Sequence, residues 1–285
     1  MAQKRRKRLA ELNLLDRFLF NEVMEDPGTY RDVLEMIFGR EILLKETVQS
    51  EKEIRTLPTF RGIRLDVWGQ DEEGNIYNSE MQSVNTKNLP RRSRYYQSVL
   101  DAGLLEPGTV DFNRLRDVHL IMIAPFDLFG LKRSVYTFQM RCCEDPALCL
   151  QDGAVRMFLY TRGEDQDNVT KELRDFLRYV EHTDEETARC FQSPRLKRLH
   201  ERVKAVKSNE GIEVKYMQLW EEKVMERLEG RSEGMSKGIS EGITRGEERV
   251  SRLNLLLIGQ KRYDDLEKAS RDREYREQLF KTFGL

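Results

Sequence analysis

The stretch from Arg61 to Val84 constrains this chain more than any other. Arg61–Trp68 alternates with period two, placing Ile63, Leu65 and Val67 on one face and Arg64, Asp66 and Trp68 on the other, the signature of a strand. Gln70–Asn75 (QDEEGN) is polar and holds a glycine, and Ile76–Val84 resumes an extended pattern, so the segment reads as a β-hairpin. Pairing Gln70 with Ile76 also sets Asp66 opposite Glu80, with Cβ atoms about 5 Å apart. Facing like charges destabilise a sheet, so the pair asks for a cation, and two carboxylates with waters suit Mg²⁺. Gln82 falls by alternation on the face of Glu80, along with Asn78. Such a set can hold a metal beside a phosphodiester while the amide orients the attacking water. A water-facing hairpin surface carries the same residue types, and the pattern alone leaves both readings open.

The rest of the chain supplies an α/β frame. Leu14–Glu25 and Tyr30–Phe38 have apolar residues at helical spacing, with Gly39 as a stop. Leu89–Leu105 is helical, with Pro90 where a first turn tolerates it. Val118–Ala124 (VHLIMIA) is a continuous apolar run, as in a strand covered on both faces, and Ser134–Met140 and Ala154–Thr161 are weaker strand candidates. Val169–Val180, Pro194–Lys207 and Ile212–Leu228 follow a period near 3.6. Gly230, Gly234, Gly238, Gly242 and Gly246 then recur every four residues, which fits either a self-association helix giving a homo-oligomer or a flexible charged linker. These patterns divide the chain into a core over residues 1–165, a helical annex over 166–229, the glycine repeat over 230–249 and C-terminal helices over 250–285.

Charge narrows little: 49 basic and 50 acidic residues nearly cancel, so nucleic-acid binding must come from local patches. No apolar run reaches the roughly 18 to 20 residues that span a bilayer, and a cytoplasmic protein is expected. Cys142, Cys143, Cys149 and Cys190 lack metal-ligand spacing and read as free buried thiols.

The hairpin RGIRLDVWGQDEEGNIYNSEMQ, followed by RRSRYYQSVL, resembles the Rpn family of recombination-promoting nucleases and transposases, a branch of the PD-(D/E)XK nucleases. The likeness rests on Leu65-Asp66, the acidic glycine-containing turn, Glu80-Met81-Gln82, Arg91-Arg92 and Tyr95-Tyr96. It extends upstream to Asp16-Arg17-Phe18-Leu19-Phe20 and downstream to the glycine-repeat tail.

The resemblance implies a restriction-endonuclease-like mixed sheet flanked by helices, with a C-terminal helical extension. It implies a Mg²⁺-dependent DNA endonuclease that promotes recombination, with Asp66 and Glu80 as metal ligands and Gln82 where the wider class has lysine. Glutamine orients water but adds no charge, so a catalytically weak DNA-binding protein is the alternative, and RNA demands the same carboxylates. Lys87 is a candidate to fill the lysine's role. Asp16 is either a further carboxylate or a helix cap. Arg91, Arg92, Tyr95 and Tyr96 share helix faces at i,i+4 and are expected to bind DNA phosphates or to pack on the sheet. The block Lys4, Arg5, Arg6, Lys7 and Arg8 is expected either to ride on DNA phosphates or to be a solubilising tail.

Overall fold

The structure is a computed structural model and describes residues 7–55, 59, 61–165 and 168–285. Two compact units divide it, Met1–Tyr216 and Met217–Leu285.

The first unit is built on a six-stranded mixed sheet. Its strands are β1 (Gln49–Ile54), β2 (Ile63–Gln70), β3 (Ile76–Met81), β4 (Val118–Ala124), β5 (Val135–Phe138) and β6 (Ala154–Tyr160). Their spatial order is β1-β2-β3-β4-β6-β5. β1, β2 and β3 run antiparallel, β3, β4 and β6 parallel, and β5 antiparallel at the far edge. The parallel β3–β4 step needs a crossover, which helix α3 (Leu89–Asp101) provides. Helices α1 (Arg17–Met24), α2 (Pro27–Phe38), α4 (Lys171–Glu181), α5 (Glu185–Ala188) and α6 (Pro194–Lys207) complete the unit. This is the mixed sheet flanked by helices that the sequence leads one to expect.

Two cores divide the central strands between them. Val67, Tyr77, Met81, Ile121 and Ile123 pack with α1, α2, α4 and α6, whereas Ile76, Val118 and Leu120 pack with Val99 and Leu100 of α3. The expected alternation along β2 breaks in the middle. Ile63 and Leu65 join the α3-side core, together with Trp68, while Val67 joins the other. The break sits beside Glu51, which takes a left-handed φ of 51° between the register pairs Ser50–Val67 and Lys52–Leu65. A non-glycine residue in that region is uncommon, and here it perturbs the edge pairing at Asp66. β1 itself carries the charged sequence QSEKEI and has no apolar alternation to announce it.

The hairpin turn is fixed by Asp71. Its Oδ1 accepts from Asn75 N–H at 2.8 Å, its carbonyl accepts from Gly74 N–H at 3.1 Å, and Gly74 takes a φ of 93° that favours glycine. Gly69 serves a different need. A Cβ there would lie 3.0 Å from Cε1 of the Tyr30 ring. The Tyr30 hydroxyl meets Ser79 Oγ at 3.0 Å and donates to the Tyr77 carbonyl at 3.2 Å. The α2 side of β3 is thereby pinned.

All four cysteines are free, but they are half-buried or exposed, not buried as expected. Cys142, Cys143 and Cys149 fall between β5 and β6, and Cys190 follows α5, where connecting backbone runs over the surface.

The second unit holds most of α7 (Glu210–Gly259) with α8 (Tyr263–Arg271) and α9 (Arg273–Phe283). Leu253, Leu257, Ala269, Leu279 and Phe280 form its small core. The glycine repeat is helical and part of α7. A Cβ added at any of the five repeat glycines would meet nothing within 4 Å.

Candidate active site

Asp66 on β2 and Glu80 on β3 are 1% and 2% exposed. The register pairs Val67 with Ser79 and Trp68 with Asn78, and the next step along the antiparallel ladder brings Asp66 to Glu80. There, side chains replace the ladder bonds. Asp66 N–H donates to Glu80 Oε1 at 3.0 Å, and Met81 N–H donates to Asp66 Oδ2 at 3.0 Å. Each carboxylate is thus anchored on the backbone of the strand opposite, which fixes both side chains where the ladder opens.

Glu80 Oε1 also accepts from Asn78 Nδ2 at 3.1 Å, while Arg92 Nη2 of α3 approaches Oε2 at 3.4 Å. Asp66 Oδ1 forms an ion pair with Arg17 Nε of α1. Burial, and then the charge of Asp66, push the Glu80 carboxyl up to about 8. Burial also raises the Asp66 carboxyl, against the opposing pull of Arg17. Two carboxyls squeezed upward in this way are under-neutralised, and a cation binding between them would relieve both.

The donor set fits a hard divalent ion. Asn78 Oδ1 is buried and lacks a hydrogen-bond partner beside Glu80. Gln82 extends the parallel ladder, its N–H donating to the Ile123 carbonyl at 2.9 Å, so its half-buried side chain shares the face of Glu80. Among the described residues there is no group of three or more His, Cys, Asp or Glu able to hold a metal. Two carboxylates and amide oxygens are left, which is the sparse protein contribution Mg²⁺ takes together with its waters.

Beside this pair opens a cleft of about 570 Å³, lined by Arg17, Arg61, Arg64, Arg91 and Arg92 with Asn88, Tyr95 and Tyr96. The Arg92 guanidinium lies 5.3 Å from the centre of the Tyr96 ring, and the Tyr95 hydroxyl donates to the Arg61 carbonyl at 2.6 Å. Burial raises the Tyr96 hydroxyl, and Glu80 adds to the effect. Five guanidinium groups around one opening suit a polyanion with spaced charges.

The other site residues named from sequence fall elsewhere. Asp16 is half-buried and caps α1, its Oδ1 accepting from Phe18 N–H at 3.0 Å, and the neighbour it introduces, Arg17, is what reaches Asp66. Lys87 is exposed on the loop before α3. Lys4, Arg5 and Arg6 lie outside the described residues. Sequence reasoning missed Arg17, Arg61, Arg64 and Glu51. Their roles come from the packing of α1 and β1 on the hairpin, for which spacing along the chain gives no signal. A family model for PD-(D/E)XK nuclease family transposases matches residues 14–226. Searches of curated proteins and of solved structures gave no match.

Proposed function

The chain belongs to the PD-(D/E)XK nuclease family transposases, and from that premise we propose that it is a cytoplasmic, Mg²⁺-dependent DNA endonuclease whose breaks promote recombination. The observation that carries this reading is the buried, facing pair Asp66 and Glu80, whose partners Arg17 and Arg92 line an arginine-rich cleft. Asp66 and Glu80 hold the metal, with Asn78 and Gln82 offering amide oxygens nearby. When bound, the ion neutralises phosphate charge and acidifies water. Gln82 positions the attacking water through its amide, and Arg91 and Arg92 hold phosphates of the substrate strand. Lys4, Arg5 and Arg6 add sequence-blind attraction to the duplex. No helix among the described residues is long and apolar enough to cross a membrane.

Incubation with supercoiled plasmid, with Mg²⁺ or with chelator, beside an Asp66→Ala control, tests the proposal. Nicking by the wild type in Mg²⁺ alone supports it, and equal nicking by Asp66→Ala contradicts it. One observation favours a second reading, that of a catalytically weak DNA-binding protein. Both carboxylates are engaged by arginines, and the uncharged Gln82 stands at the lysine position. DNA binding without nicking at any Mg²⁺ concentration would decide for it. Self-association through α7 belongs to the same proposal, supported by the open space around its repeat glycines. Sedimentation of the full chain against Gly238→Glu tests it, a lower mass being expected for the variant.

A further inference from the structure

The two oxygens of Asp66 have different partners. Oδ2 is tied to the β3 backbone through Met81 N–H, whereas Oδ1 is covered by Arg17. The Asp66 side chain is buried, but that of Arg17 is 44% exposed, so the ion pair spans the boundary between the sheet and the cleft. The guanidinium has other places to go. It lines the arginine cleft, and its Nη2 lies 3.9 Å from Glu51 Oε1 at the kink of β1. Glu51 also holds Arg64 of the same cleft. A divalent cation and a guanidinium cannot share Oδ1 without strong like-charge repulsion, so one excludes the other.

Resting on the reading of Asp66 and Glu80 as metal ligands, we propose that Arg17 is a metal-responsive substrate-binding residue. In the metal-free protein it neutralises Asp66. Once a divalent cation takes Oδ1, the guanidinium is released to the cleft and binds a phosphate of the nucleic acid. Metal and DNA then bind with positive coupling through this one side chain, and the coupling is reciprocal. Arg61 and Arg91 line the same cleft without a contact to either carboxylate, and they bind phosphate whether or not metal is present. The cleft thus holds standing contacts in Arg61 and Arg91 and, in Arg17, one that metal switches on.

The test uses the full chain and two probes, Mn²⁺ alone by titration calorimetry and a short fluorescent duplex by anisotropy, with and without Ca²⁺. Arg17→Gln is expected to bind Mn²⁺ on the order of tenfold more tightly, because the competing ion pair is gone, and to lose most of the DNA affinity that Ca²⁺ adds. Arg17→Lys should fall between it and the wild type. Arg61→Gln should weaken duplex binding equally with and without Ca²⁺ and leave Mn²⁺ affinity unchanged. Unaltered Mn²⁺ affinity and an unaltered Ca²⁺-dependent gain in Arg17→Gln would overturn the inference, while loss of Mn²⁺ binding in Asp66→Asn would leave the metal site standing. If the wild type binds no Mn²⁺ that depends on Asp66, the site reading fails, and the role of Arg17 with it.

Discussion

Two pairs of acids in the first unit each face two arginines, with Asp32, Asp66 and Glu80 buried and Glu35 half-buried. Asp32 and Glu35 on α2 meet Arg198 and Arg195 of α6. Arg198 grips Asp32 with both ends of its fork, at 2.8 and 2.7 Å. Arg195 Nε and Nη2 both reach Glu35 Oε2, at 2.9 and 2.8 Å, and Glu35 Oε1 accepts from Ile42 N–H at 3.2 Å. At Asp66 and Glu80 each arginine contact is made through a single nitrogen. One nitrogen of Arg17 serves Asp66, and a single Arg92 nitrogen stands 3.4 Å from Glu80. Forked, short contacts complete a structural ion pair. Single contacts leave both carboxyls raised by burial, Glu80 further by the charge of Asp66, so that a cation displacing the proton would relieve them. The same residue types thus meet forked arginines at one place and single arginine nitrogens at the other, the place where the proposed function puts the chemistry.

The sharpest way to break this contrast is to delete an acid from the singly contacted pair. Glu80→Ala should abolish plasmid cleavage while leaving duplex affinity measured in chelator unchanged or raised, since it removes metal and negative charge but no phosphate contact. Gel-based nicking and anisotropy on the same preparation check it, and a cleavage rate matching the wild type would make Glu80 a bystander. Next in size is Gln82→Ala, expected to slow cleavage by about 10² to 10³, the scale of one positioned hydrogen-bonding group. Gln82→Lys should retain or raise the rate, because alternation aims position 82 at the metal face. Equal rates for Gln82→Ala and the wild type would favour the weak-binder reading.

On the structural pair the sign reverses. Arg198→Ala strands a buried Asp32, so it should cost about 1 to 3 kcal/mol of stability by chemical denaturation while leaving cleavage per folded molecule unaltered. A lost activity with intact stability would erase the distinction drawn between the pairs.

The smallest effect is a pH dependence. Glu80 titrates near 4.5 when unfolded and near 8 in the metal-free fold. Its folded form therefore binds the extra proton between those values, and the stability contributed is present below about pH 4.5 and lost as pH rises through about 8. Asp66, also raised, acts in the same direction. In chelator, Glu80→Gln should flatten the fall of Tm over that window, and a slope identical to wild type would show that Glu80 is ionised and satisfied without metal.

Much of this was legible from residues alone. Val118–Ala124 and Pro194–Lys207 have the bounds that the apolar run and the helical period indicate, because burial on both faces and an amphipathic stripe write themselves into sequence. The hairpin register followed from its turn, which Asp71, Gly74 and Asn75 close locally. β1 was hidden because an edge strand paired through its backbone needs no apolar alternation, and QSEKEI has none. The change of core along β2 was hidden for the same reason, since it depends on the backbone of Glu51 on a neighbouring strand. Arg17 was hidden because helix–sheet docking decides which α1 side chain meets Asp66. Local rules gave Asp16 its cap and gave Arg17 nothing.

On the proposed function, Asp66 and Glu80 form a cation site and Asp32 and Glu35 do not. Anomalous diffraction from crystals of the chain soaked in Mn²⁺ tests it most directly. The account predicts a peak at the Asp66 and Glu80 carboxylates, with Arg17 withdrawn from Asp66, and none at Asp32 and Glu35. A map without a peak at Asp66 and Glu80, with Arg17 still paired to Asp66 at saturating Mn²⁺, would contradict it.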